Sequence, residues 1–213
     1  YDIALMSREL ILRHPDIRQF TTVWMDSLRG GESMLVNTNK LIRFYDGATG
    51  LKTGSTGSAG YCLSATAEKN GMELIAVVLK GKTSDERFSD AKSLLNYGFS
   101  TWSLVTVTPD EVLPPVPVTL GVRGTVQPVL TSENTLLVEK TLANGLTKEV
   151  ALAENVAAPV YAGDTLGQLT VRDAAGNTVA ELPILAGEDV GHVTFVQMLR
   201  RCLARGFCVG PRS

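Results

Sequence analysis

The chain has 213 residues, 44% hydrophobic and 20% charged, ordinary proportions for a globular protein. A formal charge of −2 sets up no field to recruit nucleic acid, and no apolar run is long enough to span a bilayer. Cys62, Cys202 and Cys208 make no disulfide framework, and without a CxxC or a histidine cluster they suggest no metal site.

In chain order, "YDIALMSRELILRHP" places Ile3, Met6 and Leu10 at spacings of three and four, which predicts an amphipathic helix stopped by Pro15. Gly30-Gly31 and Asp46-Gly47 then punctuate mixed apolar segments. In "AGYCLSATAEKNGMELIAVVLKG", Tyr61, Leu63 and Ala65 alternate with Cys62, Ser64 and Thr66. Leu74 to Leu79 is almost wholly apolar, and Asn70-Gly71 lies between, so two strands joined by a tight turn are expected, the second buried on both faces. A helix follows, capped by Ser84, with Phe88, Ala91 and Leu95 on one face and Gly98 as its stop. From Ser103 to Gly187 the chain is rich in Val and Thr, alternates with period two and is broken by Pro and Gly, which predicts a small all-β sandwich or barrel with a hairpin around Ala174–Asn177. In the last segment Val193, Val196, Leu199 and Leu203 share a helical face beside Arg200, Arg201 and Arg205. Such a helix can lie on an anionic membrane; the alternatives are a helix packed on the β domain or a frayed end. Charge follows the same division: net +1 for residues 1–102, −5 for 103–187 and +2 for 188–213.

The chemistry gathers at "TGLKTGSTGSAGYCLSATA", residues 49–67. In a strand, Lys52 and Gly54 point to one face and Thr53 and Ser55 to the other. A glycine inside a strand marks a place where something must come close. One face thus offers a cation beside a gap, the other two hydroxyls, and the backbone an edge along which an extended peptide can pair. The terminal carboxylate of that peptide can take a hydrogen bond from the Thr53 hydroxyl in the field of the Lys52 ammonium. The backbone N–H of Ser55 then lies near the peptide's scissile carbonyl, as half of an oxyanion hole.

Lys-Thr-Gly alone is a common triplet, but the stretch "DGATGLKTGSTGSAGYCLSATAEKNGMELIAVVLKGKTSDERFSDAKSLLNYGF", residues 46–99, resembles in order the D-alanyl-D-alanine carboxypeptidases of the low-molecular-mass penicillin-binding proteins, peptidase family S11. "YDIALMSREL" and "NTNKL" resemble the family's preceding helix and loop, and residues 103–187 its C-terminal sandwich. The resemblance implies an α+β fold: an incomplete penicillin-binding or β-lactamase-like transpeptidase domain, with helices on an antiparallel sheet, over residues 1–102. An all-β sandwich over 103–187 and a tail over 188–213 that can anchor amphipathically follow. It implies a serine-type carboxypeptidase acting on peptidoglycan stem peptides that end in D-Ala-D-Ala, recognised by β-lactam antibiotics and attached to the outer face of the bacterial cytoplasmic membrane. Neither a metal nor an organic cofactor is implied. Lys52, Thr53, Gly54 and Ser55 become the substrate-holding strand, with Lys52 and Ser55 also taking part in catalysis. Arg87 matches a family arginine that adds a second positive charge for the substrate; a surface pair with Asp85, Glu86 or Asp90 is the alternative.

The family also uses a Ser-x-x-Lys and a Ser-x-Asn ahead of the Lys-Thr-Gly strand, and neither occurs in residues 1–51. Ser89-Asp90-Ala91-Lys92 has the first spacing but follows the strand and is read as two polar residues on a helix face. His14 and His192 have no acid partner at a suggestive spacing. The chain is therefore expected to be a C-terminal portion whose partner is a missing N-terminal segment, without which residues 1–102 expose apolar surface. A non-catalytic cell-wall module and a β-lactamase-like protein are the competing readings.

Overall fold

The computed structural model describes residues 1–206 and divides into two units, residues 1–104 with Leu137–Thr141, and residues 105–136 with 142 onward. The first begins with α1 (Asp2–Arg13), which ends just before Pro15. Its buried stripe is Ser7 and Ile11, whereas Met6 and Leu10 are exposed, one position off the face expected from spacing. The reason is contact: the Ser7 hydroxyl lies 2.8 Å from that of Ser64, and a small polar residue lets the helix close on the sheet. A single helical turn, α2 (Arg18–Thr21), leads to the hairpin of β1 (Met25–Leu28) and β2 (Ser33–Val36), reversed at Gly30 and Gly31 with φ of 69° and 103°. After the turn α3 (Leu41–Phe44) come β3 (Ala48–Thr56), β4 (Gly60–Lys69) and β5 (Met72–Gly81), an antiparallel sheet in the order β3-β4-β5. Asn70 and Gly71 join β4 to β5 with φ of 53° and 77°, the pair of positive values a two-residue type I′ turn demands.

Helix α4 (Ser84–Thr101) covers one face of this sheet. Phe88, Ala91 and Leu95 meet Leu63, Ala65, Ala67, Ala76 and Val78, with Leu41 closing the cluster. Two details differ from the sequence expectation. The cap is Thr83, whose hydroxyl accepts the Glu86 N–H at 3.1 Å, so Ser84 is the first helical residue. Gly98 does not stop the helix; a Cβ there would sit 2.5 Å from Leu74 Cδ1, so its absent side chain admits the sheet. Strand β5 is also less buried than its composition suggests, with Leu79 exposed and Leu74, Ile75 and Val77 half-buried. The hairpin of β1 and β2 leaves Met25, Leu28, Met34, Leu35 and Val36 exposed.

Strand β6 (Trp102–Thr106) pairs with β10 (Thr135–Glu139), which returns Leu137–Thr141 to the first unit some thirty residues later. The second unit contains β7 (Val116–Thr119), β8 (Thr125–Val126) and β9 (Pro128–Leu130), then, after β10 and the turn α5 (Lys140–Ala143), β11 (Thr147–Leu152), β12 (Val156–Ala157), β13 (Thr165–Arg172) and β14 (Thr178–Ala186). One sheet runs β11-β13-β14-β9 and the other β12-β7-β8, the strands of the expected all-β domain. Period-two alternation turns Val116 and Val118 inward and Pro117 and Thr119 outward. Two clusters fill this unit, one around Val126, Leu166 and Val190, the other around Leu169, Val171 and Ile184. The expected hairpin joins β13 to β14, where the Asp173 carboxylate accepts the backbone N–H groups of Ala175 and Asn177 and the Asn177 side chain. The Asn177 side-chain bond, then its backbone bond, hold the Asp173 carboxyl below the usual range. That stabilisation is in place above the ordinary carboxylate pKa and is lost as pH falls through the depressed one.

The chain closes with α6 (Phe195–Gly206). Thr194 caps it: its N–H donates to the Gln197 side chain at 2.9 Å, and its hydroxyl accepts the Gln197 N–H at 3.4 Å, a reciprocal capping box. Val193, expected on the helix face, instead is buried, its N–H bonded to the Leu120 carbonyl. The side chains of Cys202 and Arg205, and Cys208, lie outside the described residues.

Candidate active site

Strand β3 carries Lys52, Thr53, Gly54 and Ser55 in extended conformation at the end of its sheet, with no strand on its outer side among the described residues. The register sets each side chain. Thr53 stands opposite Leu63, which is packed under α4, and Lys52 opposite Ser64 on the other face. Lys52 is exposed, and its ammonium donates to the Thr53 carbonyl. Among the described residues no carboxylate pairs with it. Beside it Gly54 faces open space: a Cβ built there meets no atom within 4 Å. Neither packing nor a positive φ asks for glycine at 54, so the gap is available to whatever lies along the strand.

Behind the strand, polar side chains hold it in place. Thr53 is buried, its hydroxyl 2.6 Å from that of Thr38. Asn39, also buried, donates to the Gly50 carbonyl at 2.8 Å and accepts the Leu41 N–H at 3.2 Å. Asn37 donates to the Thr21 and Val23 carbonyls and accepts the Asn39 N–H. The three consecutive residues Asn37, Thr38 and Asn39 therefore tie the preceding loop to β3. Sequence reasoning places this tripeptide in a loop but gives it no role; three short polar side chains just ahead of an apolar pair are the available signal.

Arg87 comes to the same strand from α4. It is 6% exposed and makes none of the surface pairs with Asp85, Glu86 or Asp90. Its Nη1 donates to the carbonyls of Gly54 at 3.2 Å and Cys62 at 3.1 Å. Its guanidinium carbon lies 4.8 Å from the Phe88 ring centre and 5.4 Å from that of Tyr61. The expected substrate-facing charge is thus lodged among backbone carbonyls and aromatic rings behind the strand. At the end of β3 a cleft of about 850 Å³ opens, lined by Ser55, Thr56, Ser58, Tyr61, Lys80 and Lys82, of which only Ser55 stands out from sequence. On α4, Ser89 is exposed and Lys92 half-buried, both well after Lys52 in the chain.

The edge can therefore receive an extended peptide, set a cation beside its terminal carboxylate, and present backbone N–H groups to a carbonyl. Comparison with known proteins finds relatives for both units. Residues 1–83 match the family model for D-alanyl-D-alanine carboxypeptidases, peptidase S11, and residues 105–192 match the model for the C-terminal domain of penicillin-binding protein 5. D-alanyl-D-alanine carboxypeptidase DacF of Bacillus subtilis is 35% identical over 208 residues, 95% of this chain and 53% of that protein. DacC of Escherichia coli is 30% identical over 143 residues, 66% of this chain and 36% of that protein. The chain thus spans about half the length of the first relative and about a third of the second. Among solved structures, penicillin-binding protein 5 of Haemophilus influenzae superposes with a TM-score of 0.71 at 24% identity, over 90% of this chain and 56% of that one. A penicillin-binding protein 3 of Streptococcus pneumoniae does so with 0.63 at 25%, over 89% and 56%.

Proposed function

Because the chain belongs to the D-alanyl-D-alanine carboxypeptidases of peptidase family S11, we propose that the full-length protein is a serine-type carboxypeptidase that removes the terminal D-Ala from peptidoglycan stem peptides. The observation that carries this is the open edge of β3, where an exposed Lys52, without a carboxylate partner among the described residues, adjoins the vacant face of Gly54. The stem peptide lies antiparallel to β3, its carboxylate in the field of Lys52 and accepting from the Thr53 hydroxyl, which turns from its bond to Thr38 to reach it. A serine hydroxyl from outside these 213 residues gives its proton to a base and attacks the penultimate carbonyl. The oxyanion so formed takes a hydrogen bond from the Ser55 N–H. Collapse breaks the peptide bond and releases D-Ala with the returned proton, and water then cleaves the serine ester. β-Lactams enter the same groove as mimics of the D-Ala-D-Ala end. A fluorescent penicillin is expected to label the full-length protein at one serine and to leave the 213-residue chain unlabelled. The absence of both labelling and D-Ala release by the full-length protein would remove the assignment.

The protein works outside the cytoplasm on this reading, and α6 rests on the membrane surface. Phe195, Val196, Leu199 and Leu203 are exposed at helical spacing with Arg200 beside them, while the Arg201 guanidinium turns back to the carbonyls of Gly121 and Val122 at 2.9 and 2.5 Å. No described helix is long and apolar enough to cross a bilayer. Removing residues 195–213, which spares the buried Val190 and Val193, is expected to abolish cosedimentation with anionic vesicles. Equal sedimentation with and without them would leave the helix no such role.

A further inference from the structure

Resting on the carboxypeptidase reading, we propose that Arg87 is a positioning residue for the oxyanion donor, acting through the Gly54–Ser55 peptide group and not by touching the substrate. A trans peptide is planar and its C=O and N–H point in opposite directions; among the described residues the cis bonds are Gly50-Leu51 and Ala158-Pro159, so Gly54–Ser55 is trans. Its carbonyl points inward, 3.2 Å from Arg87 Nη1, at a residue paired with Cys62 of β4. Its N–H, that of Ser55, therefore points outward to the edge of β3 that no strand covers among the described residues. Arg87 and the attacked carbonyl thus occupy opposite ends of a single peptide dipole.

Two effects follow. A charge-assisted bond to the carbonyl draws electron density from the amide and makes the N–H at its other end a stronger donor. The second bond from the same nitrogen, to Cys62 of the neighbouring strand, anchors the guanidinium, so the Gly54 carbonyl it holds and the N–H at the far end need little reorientation when charge develops on the substrate oxygen. Burial favours both, because a guanidinium that is 6% exposed acts through little water. Its Nε has no hydrogen-bond partner among the described residues, and the rings of Phe88 and Tyr61 occupy its flanks, so the group is held for the bonds Nη1 makes.

The experiment uses the full-length protein and its Arg87→Gln and Arg87→Lys variants, each acylated with benzylpenicillin. The readouts are the infrared stretch of the penicilloyl ester carbonyl, the acylation rate, and KM for a D-Ala-D-Ala peptide. A weaker donor lengthens its bond to the ester carbonyl, so the stretch is expected to move to higher frequency in Arg87→Gln, with Arg87→Lys between it and the wild type. Acylation is expected to slow by about tenfold in Arg87→Gln, less than the loss of a whole oxyanion donor, with KM little changed. Should Arg87→Gln fail to fold, the Arg87→Lys frequency decides alone. An unshifted stretch in the folded variants overturns the proposal, whatever their stability, as does a loss confined to KM, which is the signature of direct carboxylate contact. Failure of the wild type to form any penicilloyl ester overturns the carboxypeptidase reading as well.

Discussion

Replacing Lys52 by methionine in the full-length protein is expected to slow penicillin acylation and D-Ala release by about 100-fold, the scale set by removing one partner of a buried charge pair, with the thermal unfolding midpoint unchanged. The two halves of this expectation come from different features. Lys52 is exposed and makes no ion pair among the described residues, so the fold loses little when its charge goes. A bound carboxylate, by contrast, would be left without a cation to offset its lost hydration. Stopped-flow acylation with calorimetry on the same samples separates the two. Unchanged kinetics would remove Lys52 from the site, and a lowered midpoint would make it structural.

Leu63→Ala is expected to have the largest effect on stability, about 3 to 4 kcal/mol, confined to the first unit. Leu63 is 1% exposed and sits at the centre of the cluster that joins β4 to α4. Its truncation leaves a cavity among Ala65, Val78, Phe88 and Leu95, side chains fixed on regular elements that cannot collapse freely into it. The clusters around Val126 and Leu169 share no residue with this one, so amide exchange in β13 and β14 is expected to stay at its wild-type rate while that in β4 and β5 rises. Equal acceleration in both units would show that they unfold as one. Because Leu63 lies opposite Thr53, the same substitution also tests how far the candidate site depends on the packing beneath it.

Features of short range are legible in the residues themselves. Lys52 to Ser55 form a strand as their spacing requires, Asn70-Gly71 makes the turn its φ preferences allow, and Phe88, Ala91 and Leu95 face the sheet. Each depends on neighbours a few residues away. The misplacements share another cause. Gly98 reads as a helix stop because glycine often ends helices, yet Leu74, from a different element, sets its requirement for space. Arg87 is expected to face the substrate from the resemblance, or to pair at the surface; two carbonyls and two rings, most of them from other elements of the unit, explain its burial. Thr38 has no role until Thr53 is brought within 2.6 Å of it.

By itself the sequence determined the extended Lys-Thr-Gly strand, the hairpin after it and the all-β composition of the second half, because backbone preference and the alternation of side chains act between near neighbours. Only the tertiary structure decided which side of that strand is open, that the Gly54 face is vacant, and that the Arg87 cation lies behind the peptide group and not in front of it. Those properties belong to distances between elements far apart in the chain, and such distances are settled when α4 packs on the sheet.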